Sequence, residues 1–253
     1  MRTPRNILIT GASSGIGEAL ARAYAGDGVL LALVGRDQPR LARVAQLCRL
    51  RGAEVAAVAC DVTDAADLAS RMLHLDRTQP FDLVIANAGV SAGTGSGEET
   101  AEQARAITAI NVGGVINTVT PLLAPMAARG HGQIALMSSL AGFRGVPGAP
   151  AYCASKAFVR VWGESLRAEL APKGVAVSVI CPGFVESRMT EKNNFPMPML
   201  MPADRAARII MRGLARNRAR IAFPWPMYAL VRLFAALPSW VVDPLLARAP
   251  RKA

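Results

Sequence analysis

The sequence predicts an α/β protein built on a doubly wound parallel sheet with helices on both faces. Two observations lead to this prediction: apolar runs alternate with helical patterns along the chain, and the first run ends in a glycine-rich turn. Runs that are apolar throughout are typical of parallel strands buried on both sides. Right-handed crossovers between such strands place the ligand site at their carboxyl ends, so we expect the functional residues there.

The apolar runs predict seven strands, of which the last is short. They are Ile7–Thr10, Val29–Val34, Val55–Cys60, Leu83–Ala86, Gln133–Met137, Val175–Ile180 and Ile221–Phe223. Helices are predicted between them near residues 15–27, 38–51, 64–78, 100–128 and 153–171. Because no repeat, low-complexity tract or linker occurs before about residue 187, we expect a single domain over residues 1–253.

The amino-acid composition indicates an aliphatic core and argues against disulfide bonds and metal sites. Hydrophobic residues make up 52% of the 253 residues and aromatic residues only 5%, which indicates an aliphatic core. Four cysteines in apolar surroundings, without a C-x-x-C pair, predict buried thiols in a reducing compartment: Cys48, Cys60, Cys153 and Cys181. Since there are only two isolated histidines besides, no metal site is expected.

Nothing in the sequence predicts export or a membrane span. Arg2 and Arg5 are followed by only a three-residue apolar run, so no signal peptide is expected. No stretch of eighteen uncharged apolar residues occurs. We therefore expect a cytoplasmic protein.

The glycine-rich turn is the most informative segment of the chain. Thr10 to Gly17 read Thr-Gly-Ala-Ser-Ser-Gly-Ile-Gly directly after an apolar strand. A helix N-terminus offers unpaired N–H groups and a positive dipole end, and glycines let the backbone approach a ligand, so the turn predicts a phosphate site. The spacing of Gly11, Gly15 and Gly17 differs from the G-x-G-x-x-G dinucleotide fingerprint, although the physical device is the same.

The same turn also satisfies G-x-S-x-G, the nucleophile elbow of serine hydrolases, with Ser13 as the nucleophile. That chemistry requires a histidine late in the chain, whereas His74 and His131 both precede the last hundred residues. We therefore favour a nucleotide-binding site over a serine hydrolase.

The end of the second strand bears on the choice of nucleotide. A glycine at this position, Gly35, leaves room for a ribose 2′-phosphate, and Arg36 supplies a cation for it. The alternative is that Arg36 is a surface arginine at the start of a helix. We expect Asp37 to cap that helix.

Polar residues also follow the later strands. Asp61-Val62 ends the third strand, where the carboxylate either accepts a hydrogen bond from adenine or caps the helix near residue 64. Asn87-Ala88-Gly89 ends the fourth strand and Ser138-Ser139 the fifth. Tyr152 and Lys156 are four residues apart in the next helix, so they share one face and are expected to point into one cleft.

Together these segments resemble the short-chain dehydrogenase/reductase family, in its short single-domain branch. The resemblance covers residues 5 to about 190 and is carried by six motifs: Thr10–Gly17, Asn87–Gly89, Asn111 within Ile-Asn-Val-Gly, Ser139, Tyr152-x-x-x-Lys156 and Pro182-Gly183. It implies a Rossmann-type fold and an NAD(P)(H)-dependent oxidoreductase that acts on a carbonyl compound or a secondary alcohol. It also implies a homodimer or homotetramer formed through the long helices near residues 100–128 and 153–171.

The resemblance implies two sets of site residues and no metal ligand. The catalytic set is Asn111, Ser139, Tyr152 and Lys156. The cofactor-binding set is Gly11, Ser13, Ser14, Gly15, Ile16, Gly17, Arg36, Asp61, Val62, Asn87, Ala88, Gly89, Tyr152, Lys156, Pro182, Gly183, Val185 and Ser187. NADP(H) is favoured over NAD(H) because Gly35 and Arg36 match the NADP-preferring variants. Ser14 stands where many of these variants have a basic residue, so the preference depends on Arg36.

In the mechanism that the resemblance implies, hydride passes between the nicotinamide and the carbonyl carbon, and Tyr152 exchanges a proton with the oxygen. Lys156 and the oxidised nicotinamide are expected to lower the pKa of Tyr152, whose ordinary value near ~10 makes a poor catalyst at neutral pH. Ser139 is expected to hold the substrate oxygen, and Asn111 to bind a water that links Lys156 to solvent. A catalytically inactive nucleotide-binding or sensor protein of the same fold is the alternative.

The net charge of +11 belongs mostly to the C-terminal segment. Residues 1–200 hold 19 basic and 16 acidic side chains, whereas residues 201–253 hold 10 and 2. Four arginines recur there at helical spacing, which is typical of a solvated basic face: Arg205, Arg208, Arg212 and Arg216. Because aromatic residues are not interleaved with them, no nucleic-acid binding is expected.

Two segments after the core of residues 1–187 are candidates for binding apolar molecules. The methionine-rich residues 188–202 predict a lid over a lipophilic substrate such as a ketone, or else a loop packed on the core or on a neighbouring subunit. The extension of residues 203–253 contains an apolar helical stripe bracketed by tryptophans: Met227, Leu230, Val231, Phe234 and Leu237, with Trp225 and Trp240. We favour burial of this stripe in a dimer or against the lid. The alternative is peripheral contact of residues 203–247 with the inner face of a membrane.

Overall fold

Seven strands form one sheet in the order β3-β2-β1-β4-β5-β6-β7, and every neighbouring pair is parallel. The structure, a computed structural model, describes residues 3–91, 98–191, 193 and 195–247. The strands are β1 Asn6–Thr10, β2 Leu30–Gly35, β3 Glu54–Ala59, β4 Leu83–Ala86, β5 Gly132–Met137, β6 Val175–Pro182 and β7 Arg220–Phe223. The helices are α1 Gly15–Tyr24, α2 Gln38–Arg49, α3 Ala65–Thr78, α4 Ala101–Thr108, α5 Gly114–Arg129, α6 Pro150–Leu170, α7 Arg188–Glu191, α8 Ala203–Ala215, α9 Trp225–Ala236 and α10 Ser239–Ala247. The predicted doubly wound α/β fold is confirmed.

Helices cover both faces of the sheet, and the alternation of side chains along β1 shows how the two layers are built. Ile7 and Ile9 pack on one side with α1, α2 and α8, to which α8 contributes Ile210. Leu8 points to the other side, where α3, α5 and α6 pack and α6 contributes Val159. Because both faces are buried, apolar residues follow one another without polar interruption. All four cysteines are buried, as predicted.

The caps of α2 and α3 settle one of the alternatives left by the sequence. Asp37 caps α2, since its carboxylate accepts a hydrogen bond from the Arg40 N–H at 3.0 Å. Asp64, not Asp61, caps α3. The carboxylate of Asp61 instead accepts two hydrogen bonds of 2.9 Å from the N–H and hydroxyl of Thr63. The capping alternative for Asp61 is therefore wrong, because the helix begins one turn later than that role requires.

One long helical run corrects the expectation that no segment could span a membrane. Residues 101–129, which comprise α4, a π-helical turn at Ala109–Gly113 and α5, are long and apolar enough to cross a bilayer by length and composition alone. Val119, Leu122 and Met126 of this run are fully buried in the core against the sheet. Packing in the core therefore accounts for its apolar composition.

The C-terminal segment divides into a packed helix and two more exposed ones. Helix α8 buries Ala206, Ile210 and Leu214 against α1 and the sheet, while its arginines are exposed, so they form the solvated face that was predicted. Helices α9 and α10 follow β7 and lie at the carboxyl ends of the strands. Arg2, residues 192 and 194 of the predicted lid, and residues 248–253 of the extension lie outside the described residues.

Candidate active site

A cleft of about 1040 Å³ opens at the carboxyl ends of the strands. It runs from the glycine-rich turn, past the end of β5 and the start of α6, to the apolar inner faces of α9 and α10. Most of the predicted cofactor-binding residues line it: Gly11, Ser13, Ser14, Gly15, Ile16, Arg36, Val62, Asn87, Ala88, Gly89, Tyr152, Lys156, Pro182, Gly183, Val185 and Ser187. The fold thus gathers into one cleft residues that are distant in the chain.

Two predicted cofactor-binding residues, Gly17 and Asp61, do not line the cleft. Gly17 is buried behind the turn, where an added Cβ would collide with the carbonyl oxygen of Gly11 and stand 2.6 Å from Nδ2 of Asn87. Its role is to let α1 approach the sheet closely. Asp61 uses its carboxylate to hold the turn before α3 and to pair with Arg36 at 3.2 Å.

The glycine-rich turn is shaped by a threonine that the sequence analysis did not select. Gly11 and Gly15 have positive φ values of 65° and 56°, which only glycine adopts readily. The hydroxyl of Thr10 accepts hydrogen bonds from the N–H groups of Asn87 and Ala88 at 3.1 and 3.2 Å, and Nδ2 of Asn87 donates to the Thr10 carbonyl. Thr10 thereby joins the turn to the end of β4. Its position as the first residue of the Thr10–Gly17 motif could have indicated this role.

The far end of the cleft, beside β2, holds two arginines. Arg36 pairs with Asp61, and Arg40, one turn further along, pairs with Asp37 at 2.7 Å. Both arginines line the cleft. An added Cβ on Gly35 would lie 3.4 Å from the Ser13 side chain, so the absence of a side chain at Gly35 keeps this end open. Sequence reasoning selected Arg36 and missed Arg40, although helical spacing from Arg36 could have indicated it.

The predicted catalytic residues Ser139, Tyr152 and Lys156 come together between the carboxyl end of β5 and the first turns of α6. Nζ of Lys156 donates a 2.9 Å hydrogen bond to the Met137 carbonyl and lies 5.7 Å from the centre of the Tyr152 ring. Tyr152 forms a hydrogen bond with Ser139. The Ser138 hydroxyl donates to the Lys156 carbonyl at 2.7 Å, which ties the end of β5 to α6. Tyr152 and Lys156 therefore share one helix face, as predicted, and both line the cleft.

The pKa values of this group are set mainly by burial. Burial raises the pKa of Tyr152 above its ordinary value of 10.0, and this outweighs the lowering caused by the hydrogen bond with Ser139. Burial also lowers the pKa of Lys156 from 10.5 to about 8, because an ammonium is poorly solvated there. The protein's own groups therefore do not produce the lowering of the Tyr152 pKa expected from Lys156.

Asn111, the fourth predicted catalytic residue, is fully buried in the π-helical turn and does not line the cleft. Its Oδ1 accepts from the Val90 N–H at 2.8 Å, and its Nδ2 donates to the Val90 carbonyl and to the Ser155 hydroxyl. An added Cβ on Gly89 would lie 3.1 Å from Oδ1 of Asn111 and 3.3 Å from Nζ of Lys156. Asn111 therefore approaches the lysine across Gly89 while it anchors the segment after β4.

A cluster of arginines and aromatic rings lies behind the end of β5 and holds α9. The guanidinium groups of Arg160 and Arg220 lie 4.8 and 5.3 Å from the centre of the Phe143 ring. Tyr228 of α9 packs edge-on against the same ring, and its hydroxyl accepts a 3.1 Å hydrogen bond from Arg220. Arg220 also pairs with Glu164. Because Phe143 lies four residues after Ser139, this cluster couples the position of α9 to the segment that follows β5.

The end of the cleft opposite the two arginines is apolar. Its wall combines side chains from the predicted lid and from the C-terminal helices: Met189, Phe195, Met227, Val231, Phe234 and Leu246. Arg144 lies at the same end and is held by Asp243 of α10 at 3.0 Å. The apolar stripe predicted from sequence is thus divided, since only part of it faces the cleft.

A serine hydrolase finds no support in this arrangement. Ser13 lines the cleft, but His74 and His131 are exposed and neither lies along it. A histidine base within hydrogen-bond reach of the serine is what that chemistry requires. Among the described residues, no group of three His, Cys, Asp or Glu side chains could hold a metal ion.

Comparisons with known proteins agree with this geometry. The sequence profile of a family described as short chain dehydrogenase matches residues 5–197. The chain is 41% identical to an uncharacterized oxidoreductase from Myxococcus xanthus, over 94% of this chain and 95% of the relative. It is 39% identical to an uncharacterized oxidoreductase from Mycobacterium tuberculosis, over 97% of each chain. Among solved structures, a short-chain dehydrogenase from Sphingobium yanoikuyae in complex with NADPH superposes with a TM-score of 0.80 at 28% identity, over 97% of this chain and 96% of that one.

Proposed function

The chain belongs to the short-chain dehydrogenase/reductase family of oxidoreductases, and from this premise we propose that it interconverts a lipophilic ketone and its secondary alcohol with NADP(H). The observation that carries the proposal is the meeting of Ser139, Tyr152 and Lys156 in a cleft that joins a phosphate-type turn to an apolar pocket. On this proposal residues 1–187 form the cofactor-binding and catalytic core, and residues 188–202 form the lid.

The residues of the cleft fit a nicotinamide dinucleotide. The turn between β1 and α1 presents its backbone to the cleft at the start of a helix, as a pyrophosphate site requires. Glycine is needed at Gly11 and Gly15 because an added Cβ would lie 2.8 Å from Cα of Ala88 and 3.0 Å from Cβ of Ser187, respectively. Arg36 and Arg40 stand at the end where a ribose 2′-phosphate would lie. When bound, the nicotinamide supplies or accepts the hydride.

The chain's own residues then handle the substrate oxygen and its proton. The Ser139 hydroxyl is placed to donate a hydrogen bond to that oxygen, and Tyr152 to give it a proton in reduction or to take one in oxidation. Lys156, held by the Met137 carbonyl, contributes an ammonium beside the tyrosine. Because the ammonium is buried, its field is poorly screened and acts over the short distance to the ring.

The preference for NADP(H) is tested by fluorescence titration with NADPH and, separately, NADH. We expect clearly tighter binding of NADPH. Arg36→Ala should weaken NADPH binding by about 10- to 100-fold, the effect of one charged hydrogen bond of about 1.5–3 kcal/mol, and leave NADH binding within about twofold. Arg43→Ala is the matched control, since Arg43 lies on α2, the helix that follows Arg36, but pairs with Glu18 away from the cleft. Equal affinities for both nucleotides would reject the preference, and binding of neither would reject the oxidoreductase proposal.

Catalysis by Tyr152 is tested on a panel of lipophilic ketones with NADPH. Tyr152→Phe should reduce turnover by about 10²- to 10⁴-fold, because the proton donor is lost, and leave NADPH binding within about twofold. Substantial residual turnover would remove the tyrosine from the mechanism. Tight NADPH binding by the wild type without turnover on any ketone would favour the inactive, sensor-type alternative.

A homo-oligomer formed through the long helices is part of the same proposal. Phe158 and Val161 on α6 are exposed, with 40% and 51% of their surfaces accessible, and such apolar side chains suit a subunit interface. Light scattering on the purified protein, with Val161→Glu as the variant, measures the number of subunits. A monomeric wild type would reject this part of the proposal.

A further inference from the structure

Helix α9 is apolar over a broad face, of which one part lines the cleft and the other part, its outer face, is exposed. Met227, Val231 and Phe234 line the cleft. Leu230 and Leu233 lie beside this row of side chains, on the outer face, and are 50% and 56% exposed. A helix that packs on one side is normally polar on the other, so the outer face requires its own explanation.

Helix α10 repeats this arrangement. Val242 is fully buried and Leu246 lines the cleft, whereas Trp240 and Leu245 are 80% and 53% exposed. Trp225, at the start of α9, is 70% exposed. The two helices thus form a wall whose inner side borders the cleft and whose outer side presents tryptophans and leucines.

The charges in the sequence of the C-terminal segment favour an anionic surface as the occupant of the outer side of this wall. Residues 225–253 contain four basic residues, Arg232, Arg248, Arg251 and Lys252, and a single acidic residue, Asp243. Asp243 is itself paired with Arg144 at 3.0 Å. A second copy of this chain on the outer side would bring two positively charged segments together, whereas anionic lipid headgroups complement them.

We propose that the outer face of α9 and α10 docks on an anionic membrane surface. Exposed tryptophans and leucines enter the interface between headgroups and acyl chains, and the exposed Arg232 binds the headgroups. The basic residues that follow α10 in the sequence add to the attraction. The proposed contact excludes α8 and is therefore smaller than the segment 203–247 that the sequence suggested. Helix α8 buries its apolar residues and exposes only a solvated basic face. If the proposed function holds, a lipophilic substrate then passes from the membrane to the cleft along the same wall.

The test is co-sedimentation of the full chain with vesicles of phosphatidylcholine, with or without phosphatidylglycerol. We expect binding to the vesicles that contain phosphatidylglycerol and weaker binding as salt is raised. The double variant Leu230→Ser, Leu233→Ser should lose at least about tenfold in affinity, since two leucine side chains leave the interface. Leu50→Ser is the matched control, because Leu50 is 77% exposed at the C-terminal end of α2 and does not belong to this wall.

Three outcomes would overturn the proposal: a wild type that stays in the supernatant with both kinds of vesicle, a double variant that binds as tightly as the wild type, or equal binding to both kinds of vesicle. If light scattering instead shows that the double variant separates a dimer that binds no vesicles, the occupant is a second copy and the membrane proposal is also rejected. These results are independent of the proposed function, which is measured in the same variants as NADPH binding and turnover of a water-soluble ketone without vesicles.

Discussion

Replacing Lys156 should make this protein more stable and, if the proposed function holds, remove its activity. Lys156 is almost fully buried, and burial lowers its pKa from 10.5 to about 8. This drop in pKa means that burying the ammonium lowers the stability of the folded state by about 3 kcal/mol at pH 7. Methionine keeps the length and apolar stem of the side chain without the charge. Lys156→Met would, however, also leave the Met137 carbonyl without its hydrogen bond, at a cost of about 1 kcal/mol.

The expected net effect at neutral pH is a free energy of unfolding about 2 kcal/mol higher in Lys156→Met than in the wild type. This difference in stability depends on pH. Between pH 8 and 10.5 the unfolded wild-type chain binds more protons than the folded one, so the stability of the wild type rises as the lysine loses its proton. The difference between the two proteins should therefore shrink above pH 8 and fall to near zero by about pH 9.5.

Urea unfolding followed by circular dichroism, without added nucleotide, measures this difference at pH 7 and at about pH 9.5. Lys173→Met serves as the control, because Lys173 is exposed and its replacement should change neither the stability nor its pH dependence. A Lys156→Met protein less stable than the wild type at pH 7, or a difference that does not vary with pH, would refute the reasoning from burial.

Two further predictions concern the turn and the support of α9. Gly17→Ala should lower the free energy of unfolding by about 1–3 kcal/mol and weaken NADPH binding, because the new methyl group collides with the Gly11 carbonyl. Gly26→Ala, which meets nothing within 4 Å, should change neither; unaltered NADPH binding and urea stability in Gly17→Ala would contradict this account. Tyr228→Phe removes the hydroxyl that accepts from Arg220, so KM for a lipophilic ketone should rise about fivefold while the Kd for NADPH stays constant. A change in the Kd for NADPH without a change in KM would show that the cluster of arginines and aromatic rings around Phe143 does not influence substrate binding.

Much of the fold and of the site could be predicted because the signals are local. Apolar runs located all seven strands, and Asp37 was correctly expected to cap α2. The four-residue spacing of Tyr152 and Lys156 was enough to place both in the cleft. Thr10 and Arg40 were missed, since their roles depend on contacts with the end of β4 and with the rim of the cleft.

The sequence by itself determined the parallel sheet, the glycine-rich turn and the helix face shared by Tyr152 and Lys156. Each follows from the order of side chains along a short segment, through the twofold period of strands and the 3.6-residue period of helices. Only the tertiary structure decided that Gly17 supports the turn from behind, that Lys156 loses much of its basicity, and that part of the stripe on α9 lines the cleft while Leu230 is exposed. These properties depend on burial, and burial is set by segments far apart in the chain that come together only when the sheet and its helices pack.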